Sequence, residues 1–381
     1  MKIVIAISHS FCANFIKGQS AYLQSKGHNV TIVSASGPEV TAVANNENAN
    51  LVEIPFSREI SLVDDIKGLF SVIKFLRTEK PDIVNAGNPK TGFLFMLASI
   101  FFPKIPMIFT LRGLRSDTLS GTKGKIVFFT EWLSCYLAKK VIVISPSLRD
   151  HAVEIGVLNP KKAIVLGKGS SNGVDIDKFC DTDQNILLGK ELRSRFEIKQ
   201  NDFVVGHVGR ITKDKGVEEL FDAFKLSRLK HRNLKLVLAG PVEDDDPIKP
   251  EVMEEMLLDK DVVFLGKVDN VAGVYCAYDV LVLYSYREGF GNVVIEASSM
   301  GKPVIVSDIP GARDTTEHMM SGIHVEPRNS HKLSEAINLY IENEDLRKSH
   351  GKYGQRRAQQ YFSSDVIWEG QHNLYKSLVK P

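Results

Sequence analysis

Two doubly wound α/β domains, each built on a parallel sheet, are what this chain of 381 residues predicts. Three observations carry the expectation. Short runs dense in Val and Ile recur without alternating polar and apolar residues, which is how strands covered on both faces read. Helical stretches lie between them, and strand–helix alternation implies parallel strands joined by right-handed crossovers. The series breaks once, at a polar stretch opening GSSNGVD at residue 169, and then starts again.

In the first series the spacing predicts strands at Lys2–Ile7, Val30–Ser34, Asp82–Asn85, Met107–Thr110, Val141–Ile144 and Ala163–Leu166. Helices are expected at Phe11–Lys26, Leu62–Glu79 and Lys123–Lys139. In the second series the strands are Phe203–Val208, Lys235–Leu238, Val262–Leu265, Val280–Leu283 and Pro303–Val306, with helices near Val217–Ser227, Val293–Met300 and Lys332–Ile341. Two further helices close the chain, near Asp345–Tyr361 and Asp365–Leu378. The expected organisation is a first domain over 1–169, a linker over 170–200 and a second domain over 201–361. Ligands of such sheets bind beyond the carboxyl ends of the strands, and two such domains facing each other make a cleft.

A hydrophobic content of 43% is enough for a sizeable core. Four scattered cysteines, at 12, 135, 180 and 276, form no C-x-x-C pair. They imply reduced thiols in a cytoplasmic chain, with neither a disulfide framework nor a zinc site. The apolar start KIVIAI is too short for a signal peptide. The longest apolar run, GFLFMLASIFF, falls short of the roughly 20 residues needed to span a bilayer. Residues 1–170 hold 20 Lys+Arg and 12 Asp+Glu, a balance of +8, and the remainder holds 28 and 34, a balance of −6. The basic first half suits an anionic surface or substrate, or is an ordinary solvated face. Nucleic acid is not an expected partner.

Chemistry concentrates in two loops of the second domain. The first, Gly209-Arg210-Ile211-Thr212-Lys213-Asp214-Lys215-Gly216, follows a strand and opens a helix. Its glycines let backbone approach a ligand, and Arg210 and Lys215 bring the countercharge a diphosphate needs. It matches neither a Walker A loop nor G-x-G-x-x-G. The second loop runs Tyr284 to Asn292, with Glu288 at its rim and Gly289, Phe290 and Gly291 before a helix starting near the N-cap candidate Asn292. Amides near Val293 are placed to meet an anion. Glu296 lies about a turn inside an otherwise apolar helix, where a lone carboxylate is costly unless hydrogen-bonded. The vicinal hydroxyls of a ribose, a backbone N–H or an arginine could each satisfy it. The acidic run Asp244-Asp245-Asp246, before Pro247, reads as a solvated turn.

Glu288-x7-Glu296 in the context EGFGNVVIEA, followed by Gly301-x-Pro303-Val304-Ile305, resembles the nucleotide-sugar signature of retaining glycosyltransferases of family 4. Arg210 and Lys215-Gly216 stand where that family carries its diphosphate-binding Arg and Lys. The resemblance spans the chain. It implies a GT-B fold, α/β with two Rossmann-like domains facing a cleft, donor on the second and acceptor on the first. It also implies that a last helix, about 362–381, returns to the first domain. Asn88-Pro89-Lys90-Thr91-Gly92, Leu111-Arg112-Gly113-Leu114-Arg115 and Gly167–Asp175, with Ser171 and Asn172, are similar to a branch that extends polyprenyl-diphosphate-linked sugars in bacterial glycan, capsule and O-antigen assembly, often from UDP-N-acetylhexosamines.

What the resemblance implies is a metal-independent transfer with no cofactor, the UDP-sugar being the donor substrate. Glu288, Arg210 and Lys215 are then the catalytic set. Gly209, Gly289, Phe290, Gly291, Asn292, Val293 and Glu296 hold the donor. Asn88, Lys90, Arg112, Arg115, Ser171 and Asn172 meet the lipid-diphosphate acceptor at the inner face of the cell membrane. The chain departs from the family pattern in three places: the loop Ser8–Asn14 lacks a glycine pair, Arg112-Gly113 replaces His-Gly, and Tyr284 replaces a common proline. Rival readings are a UDP-sugar 2-epimerase, a glycogen- or sucrose-type transferase, and a non-catalytic subunit that binds nucleotide sugar.

Overall fold

The computed structural model describes residues 1–57 and 61–379. Lys380 and Pro381, the last residues of the expected returning segment, lie outside the described residues. The chain forms two compact units, Met1–Asn172 with Asp365–Pro381, and Gly173–Ser364.

Unit 1 is built on seven parallel strands: β1 (Lys2–Ala6), β2 (Asn29–Ser34), β3 (Asn50–Glu53), β4 (Ile83–Gly87), β5 (Met107–Leu111), β6 (Lys140–Val143) and β7 (Ala163–Ile164). Their order is β3-β2-β1-β4-β5-β6-β7. β1 is central, its Ile3 in register with Val30 on one side and Ile83 on the other. β3 escaped the sequence reading because it is an edge strand without a fully buried residue. The crossover helices are α1 (Gln19–Ser25), α2 (Pro38–Asn46), α3 (Leu62–Glu79), α4 (Pro89–Ser99), α5 (Gly121–Leu137) and α6 (Pro146–Glu154).

The helix expected over Phe11–Lys26 is in fact two pieces, a 3-10 segment at Ser10–Phe15 and then α1. Gly18 breaks it: its φ is +83°, and a Cβ there would fall 2.5 Å from the Trp368 ring. The Glu47 carboxylate then accepts from the backbone N–H groups of Gly18 (2.6 Å), Ser20 (3.1 Å) and Ala21 (3.3 Å). The chain thus fills the N-terminus of α1 with its own anion.

Unit 2 begins with α7 (Asp183–Arg195), which occupies part of the segment expected as a linker and packs on α10 (Val271–Ala277). Its sheet holds β8 (Phe203–Val208), β9 (Leu234–Ala239), β10 (Val262–Gly266), β11 (Val280–Leu283), β12 (Val304–Ser307) and β13 (Gly322–Val325). The order is β10-β9-β8-β11-β12-β13, all parallel. α8 (Val217–Arg228), α9 (Pro250–Leu258), α11 (Asn292–Ser299), α12 (Ser330–Glu342) and α13 (Glu344–Tyr361) complete it. Phe221, Phe224, Leu236, Val282, Tyr284 and Ile337 sit at the centre of its core. The last helix, α14 (Ser364–Leu378), puts Ile367 and Tyr375 into the core of unit 1 beside Ile5, Ile83 and Ile108.

In each unit the strand order reverses once, between β1 and β4 and between β8 and β11. At such a switch point the loops on either side diverge, leaving room for a ligand.

His207 lies on β8 at the second switch point and is fully buried. Its Nδ1 is 3.3 Å from the Val282 carbonyl, and its Nε2 has no partner. Burial, helped by the charge on Lys215, pushes its pKa down from 6.5 to about 4. A lowered histidine pKa favours the neutral folded form. Its stabilising contribution is therefore complete above pH 6.5 and is lost as pH falls from 6.5 toward 4. The loss should reach about 3 kcal/mol. Urea unfolding of wild type and His207→Leu across this window tests it. The variant should show the flatter dependence, and equal slopes would remove His207 from the account.

Candidate active site

Two loops meet at the switch point of unit 2. The loop after β8 runs from Gly209 to Gly216, where a 3-10 turn at Lys213–Lys215 leads into α8. Gly216 has φ +63°, and a Cβ there would come within 2.1 Å of the Tyr284 carbonyl oxygen. Only glycine lets this loop sit against the end of β11.

Hydrogen bonds and ion pairs fasten the two loops together. The Tyr286 N–H donates to the Asp214 carbonyl at 2.8 Å. Arg287 reaches the Asp214 carboxylate at 3.0 Å. The Lys215 ammonium pairs with Glu288 Oε1, which also accepts from the Ser285 hydroxyl at 2.9 Å. Lys215 and Glu288 keep only 15% and 14% of their side-chain surface exposed, so this pair is partly shielded from water. Arg210 Nη1 pairs with Glu243 at 2.8 Å, and its Nη2 lies 3.6 Å from Asp214. These partners hold its pKa up against the opposing effect of burial. The cations of the two loops are thus held in position by carboxylates, an arrangement able to receive an anionic ligand.

Gly291, not Asn292, caps α11. It has φ +93° and no side chain to bond the first turn, while Asn292 is the first helical residue. The left-handed cap turns the chain sharply after Glu288, a geometry that favours glycine over asparagine. The Glu288–Gly289 backbone is further fixed by Gly311, where a Cβ would lie 2.2 Å from the Glu288 carbonyl oxygen. The Phe290 ring is buried 5.4 Å from Phe362, so its side chain belongs to the core.

Glu296 is held by a residue the sequence reading passed over. The Tyr275 hydroxyl donates to Glu296 Oε2 at 2.9 Å and lies 3.2 Å from the Val293 carbonyl. Desolvation raises the Glu296 pKa, while Tyr275 and, more weakly, Lys178 oppose the rise. Tyr275 sits inside α10 in a run with no charged residue, and nothing there marks it apart from a core aromatic. The acidic run was also misread in part. Asp246 Oδ2 accepts the Asp214 N–H at 2.7 Å, so it shapes the basic loop instead of lying free in solvent.

In unit 1 the six sequence candidates separate. Arg112, at the end of β5, donates from Nη1 to the Ser171 hydroxyl at 2.9 Å. Asn88 lies at the start of α4, next to Gly87, where a Cβ would be 3.2 Å from Arg112 Nη2. Lys90 is engaged by Asp65. Arg115 is exposed, and its backbone N–H donates to Glu131 at 2.7 Å. Asn172 bonds the Lys17 carbonyl and Trp368 Nε1, both at 2.7 Å, which ties α14 to unit 1. Among the described residues, no group of three or more His, Cys, Asp or Glu converges as a metal site. All four cysteines are free.

Comparison with known proteins places this geometry. Residues 13–178 match the model of Glycosyltransferase Family 4, and residues 190–357 that of glycosyl transferases group 1. Over 380 residues, 100% of this chain and 98% of the relative, the sequence is 35% identical to the capsular polysaccharide biosynthesis glycosyltransferase CapM of Staphylococcus aureus. Over 77% of this chain and 75% of the relative it is 29% identical to the UDP-Gal:alpha-D-GlcNAc-diphosphoundecaprenol alpha-1,3-galactosyltransferase of Escherichia coli. Anabaena HepE, solved in complex with UDP, superposes with a TM-score of 0.81 over 99% of this chain and 100% of that one, at 21% identity. The fold is that of a GT-B glycosyltransferase. The chain belongs to glycosyltransferase family 4.

The Tyr275–Glu296 bond leads to a prediction. Tyr275→Phe should leave Glu296 without its protein donor and weaken UDP binding by about 1 kcal/mol, the net worth of a typical hydrogen bond. Calorimetric titration with UDP measures it, and unchanged affinity would remove Tyr275 from the donor site.

Proposed function

We propose that this glycosyltransferase moves a sugar, of the N-acetylhexosamine type, from a UDP-sugar to a hydroxyl of a polyprenyl-diphosphate-linked sugar, with retention, in bacterial capsule or surface-glycan assembly. The observation that carries the donor half is the locked pair of loops presenting Arg210, Lys215 and Glu288 at one switch point. Similarity to the galactosyltransferase acting on a diphosphoundecaprenol sugar and to CapM supports the acceptor class and the pathway.

In this reading Gly209 lets the backbone approach the diphosphate, and Arg210, Lys215 and the α11 N-terminus, with Gly291, Asn292 and Val293, take up the charge that develops on it as the glycosidic bond breaks. The reaction needs no metal and no cofactor on this account. Glu288 and Gly289 face the donor sugar, and Glu296 holds the ribose. No side chain acts as nucleophile. The leaving phosphate accepts the proton of the attacking hydroxyl, which keeps both partners on one face and accounts for retention.

The acceptor reading calls for a membrane-facing surface on unit 1. No helix among the described residues is long and apolar enough to cross a bilayer. In the apolar run 92–102, Phe95 is fully buried and Phe93 and Phe102 are half-buried, whereas Phe101 is exposed. A stronger candidate is α5. Lys123, Lys125, Ile126, Phe129 and Tyr136 are exposed there, and Phe129, Trp132 and Tyr136 stack along the helix at 5.7 and 5.3 Å. Aromatic residues beside lysines suit the interface of an anionic leaflet, at about 1 kcal/mol per basic residue. The enzyme would then work at the cytoplasmic face as a peripheral protein.

Three measurements test this function. A panel of nucleotide sugars offered with polyprenyl-diphosphate-sugar acceptors should yield transfer with retained anomeric configuration. A new epimer from UDP-GlcNAc without acceptor would instead reveal an isomerase. Lys215→Ala and Arg210→Ala should each lower UDP affinity by about 1.5–3 kcal/mol per charge-assisted bond lost. Glu296→Gln should weaken UDP binding, while Glu288→Gln should spare it and lower turnover. Full turnover by Glu288→Gln would sink the role given to that carboxylate. Co-sedimentation with anionic liposomes should be strong at low salt and fall at high salt, and Lys123→Glu with Lys125→Glu should abolish most of it. Binding indifferent to lipid charge and salt would exclude the electrostatic part.

A further inference from the structure

The switch point of unit 1 holds a feature that the fold does not require. Arg112 is half-buried with its Nε fully buried, yet among the described residues it forms no salt bridge with a carboxylate. The groups acting on its charge are the Cys12 thiol and the Tyr375 hydroxyl, both neutral in their ordinary state, and burial pulls its pKa down to about 10. What holds it is the Ser171 hydroxyl and the face of Phe15, whose centroid is 5.2 Å away. Its Nε is buried without a partner. A cation partly withdrawn from water, with a buried N–H and no anion to meet it, is unfavourable, and folds ordinarily pair such a group or dispense with it.

Two further signs converge on the same place. The side-chain oxygen Oδ1 of Asn88 is also buried without a partner. Asn88 and Ser170, the chain neighbours of Gly87 and Ser171 beside Arg112, are non-glycine residues with φ of +75° and +106°. Backbone held in such conformations must be over-determined by its surroundings, and it clusters where ligands bind. The Ser170 N–H donates to the Ile144 carbonyl at 2.7 Å, which fixes Ser171 beside Arg112. The N-terminus of α1, which follows β1 at this switch point, is already occupied by Glu47.

We propose that Arg112, with Ser171 and Asn88, is the seat for one phosphate of the acceptor's diphosphate, so that a phosphorylated acceptor is required and neutral glycans are refused. The proposal rests on the acceptor reading above and sharpens it: of the basic residues considered in unit 1, Arg112 binds the phosphate, while Lys90, engaged by Asp65, and the exposed Arg115 do not form the seat. The Arg112 fork offers Nε–H and Nη–H to non-bridging oxygens, Ser171 can turn its hydroxyl to a third, and Asn88 Oδ1 accepts from a protonated phosphate or the sugar's own hydroxyl.

The test uses the full chain saturated with UDP, so that the donor loops are filled, and titrates farnesyl diphosphate and inorganic pyrophosphate into wild type, Arg112→Lys and Arg112→Met. Both probes should bind wild type and lose about 10- to 100-fold in Arg112→Met, as expected for one or two charge-assisted bonds, with an intermediate loss in Arg112→Lys. UDP affinity measured alone should not change. A parallel fall in UDP affinity would assign the arginine to the donor and overturn the proposal, as would unchanged probe binding in Arg112→Met. Without ligand, Arg112→Met should melt no lower than wild type. A drop of more than about 4 °C would make the arginine a structural residue. Transfer assays separate this proposal from the functional reading beneath it. If wild type extends a lipid-diphosphate sugar and Arg112→Met does so with the same KM, only the seat falls. If wild type extends no such acceptor while pyrophosphate still binds through Arg112, the acceptor reading falls and an anion seat remains.

Discussion

The ion pair between Lys215 and Glu288 joins the end of β8 to the end of β11, and the arrangement of loops at the switch point of unit 2 depends on that junction. The two strands are neighbours, but their connections leave in opposite directions, so nothing in the sheet itself brings the following loops together. Asp214 completes the junction. It draws Arg210 and Arg287 toward one carboxylate while its carbonyl receives the Tyr286 N–H. Glycines at 216 and 311 then allow backbone to close in where any side chain would collide. Charge and steric room together fix the positions of the cations before any ligand arrives, which is the form of preorganisation that electrostatic catalysis uses.

Much of this was legible in the sequence, for identifiable reasons. Buried parallel strands announce themselves through unbroken Val and Ile runs, so ten of the eleven expected strands fall within a residue or so of their observed bounds at each end, and the other, at 163, is shorter than expected. β3 and β13 were missed, the first because it lies at an edge and the second because its four residues include a glycine and a histidine. Loop residues carrying charge beside glycine were legible too, since that combination has few purely structural uses. Partners supplied from elsewhere were not. Tyr275 and Glu243 carry no local signal, Asp246 reads as part of a solvated turn, and only three-dimensional proximity gives them a role. The break in the first helix depends on Trp368, some 350 residues away in sequence, and no local pattern foretells it.

Both units carry buried or half-buried charge, but they handle it differently. In unit 2 Arg210, Lys215 and Arg287 of the two switch-point loops each meet a carboxylate. In unit 1 the Glu47 carboxylate serves helix α1, Glu131 takes the Arg115 N–H and the Ser116 hydroxyl, and Arg112 is left to a hydroxyl and an aromatic face. A satisfied network rigidifies its surroundings, whereas a buried polar group without a partner calls for an explanation of its own.

Unit 1 is discontinuous in sequence, and this bears on how the protein is made. Ile367 and Tyr375 of α14 sit in its core, the Tyr375 hydroxyl accepts from Asn85 at 2.7 Å, and Trp368 packs into the space left by Gly18. On the ribosome, domains fold as units from the N-terminus onward. Here the first sheet is synthesised early but lacks part of its own interior until residues 365–379 emerge, after the whole of unit 2. During that interval β1 and β4 have an uncovered apolar face, so the nascent chain passes through a stage in which its earliest-made half is the one still exposed to aggregation and to chaperones.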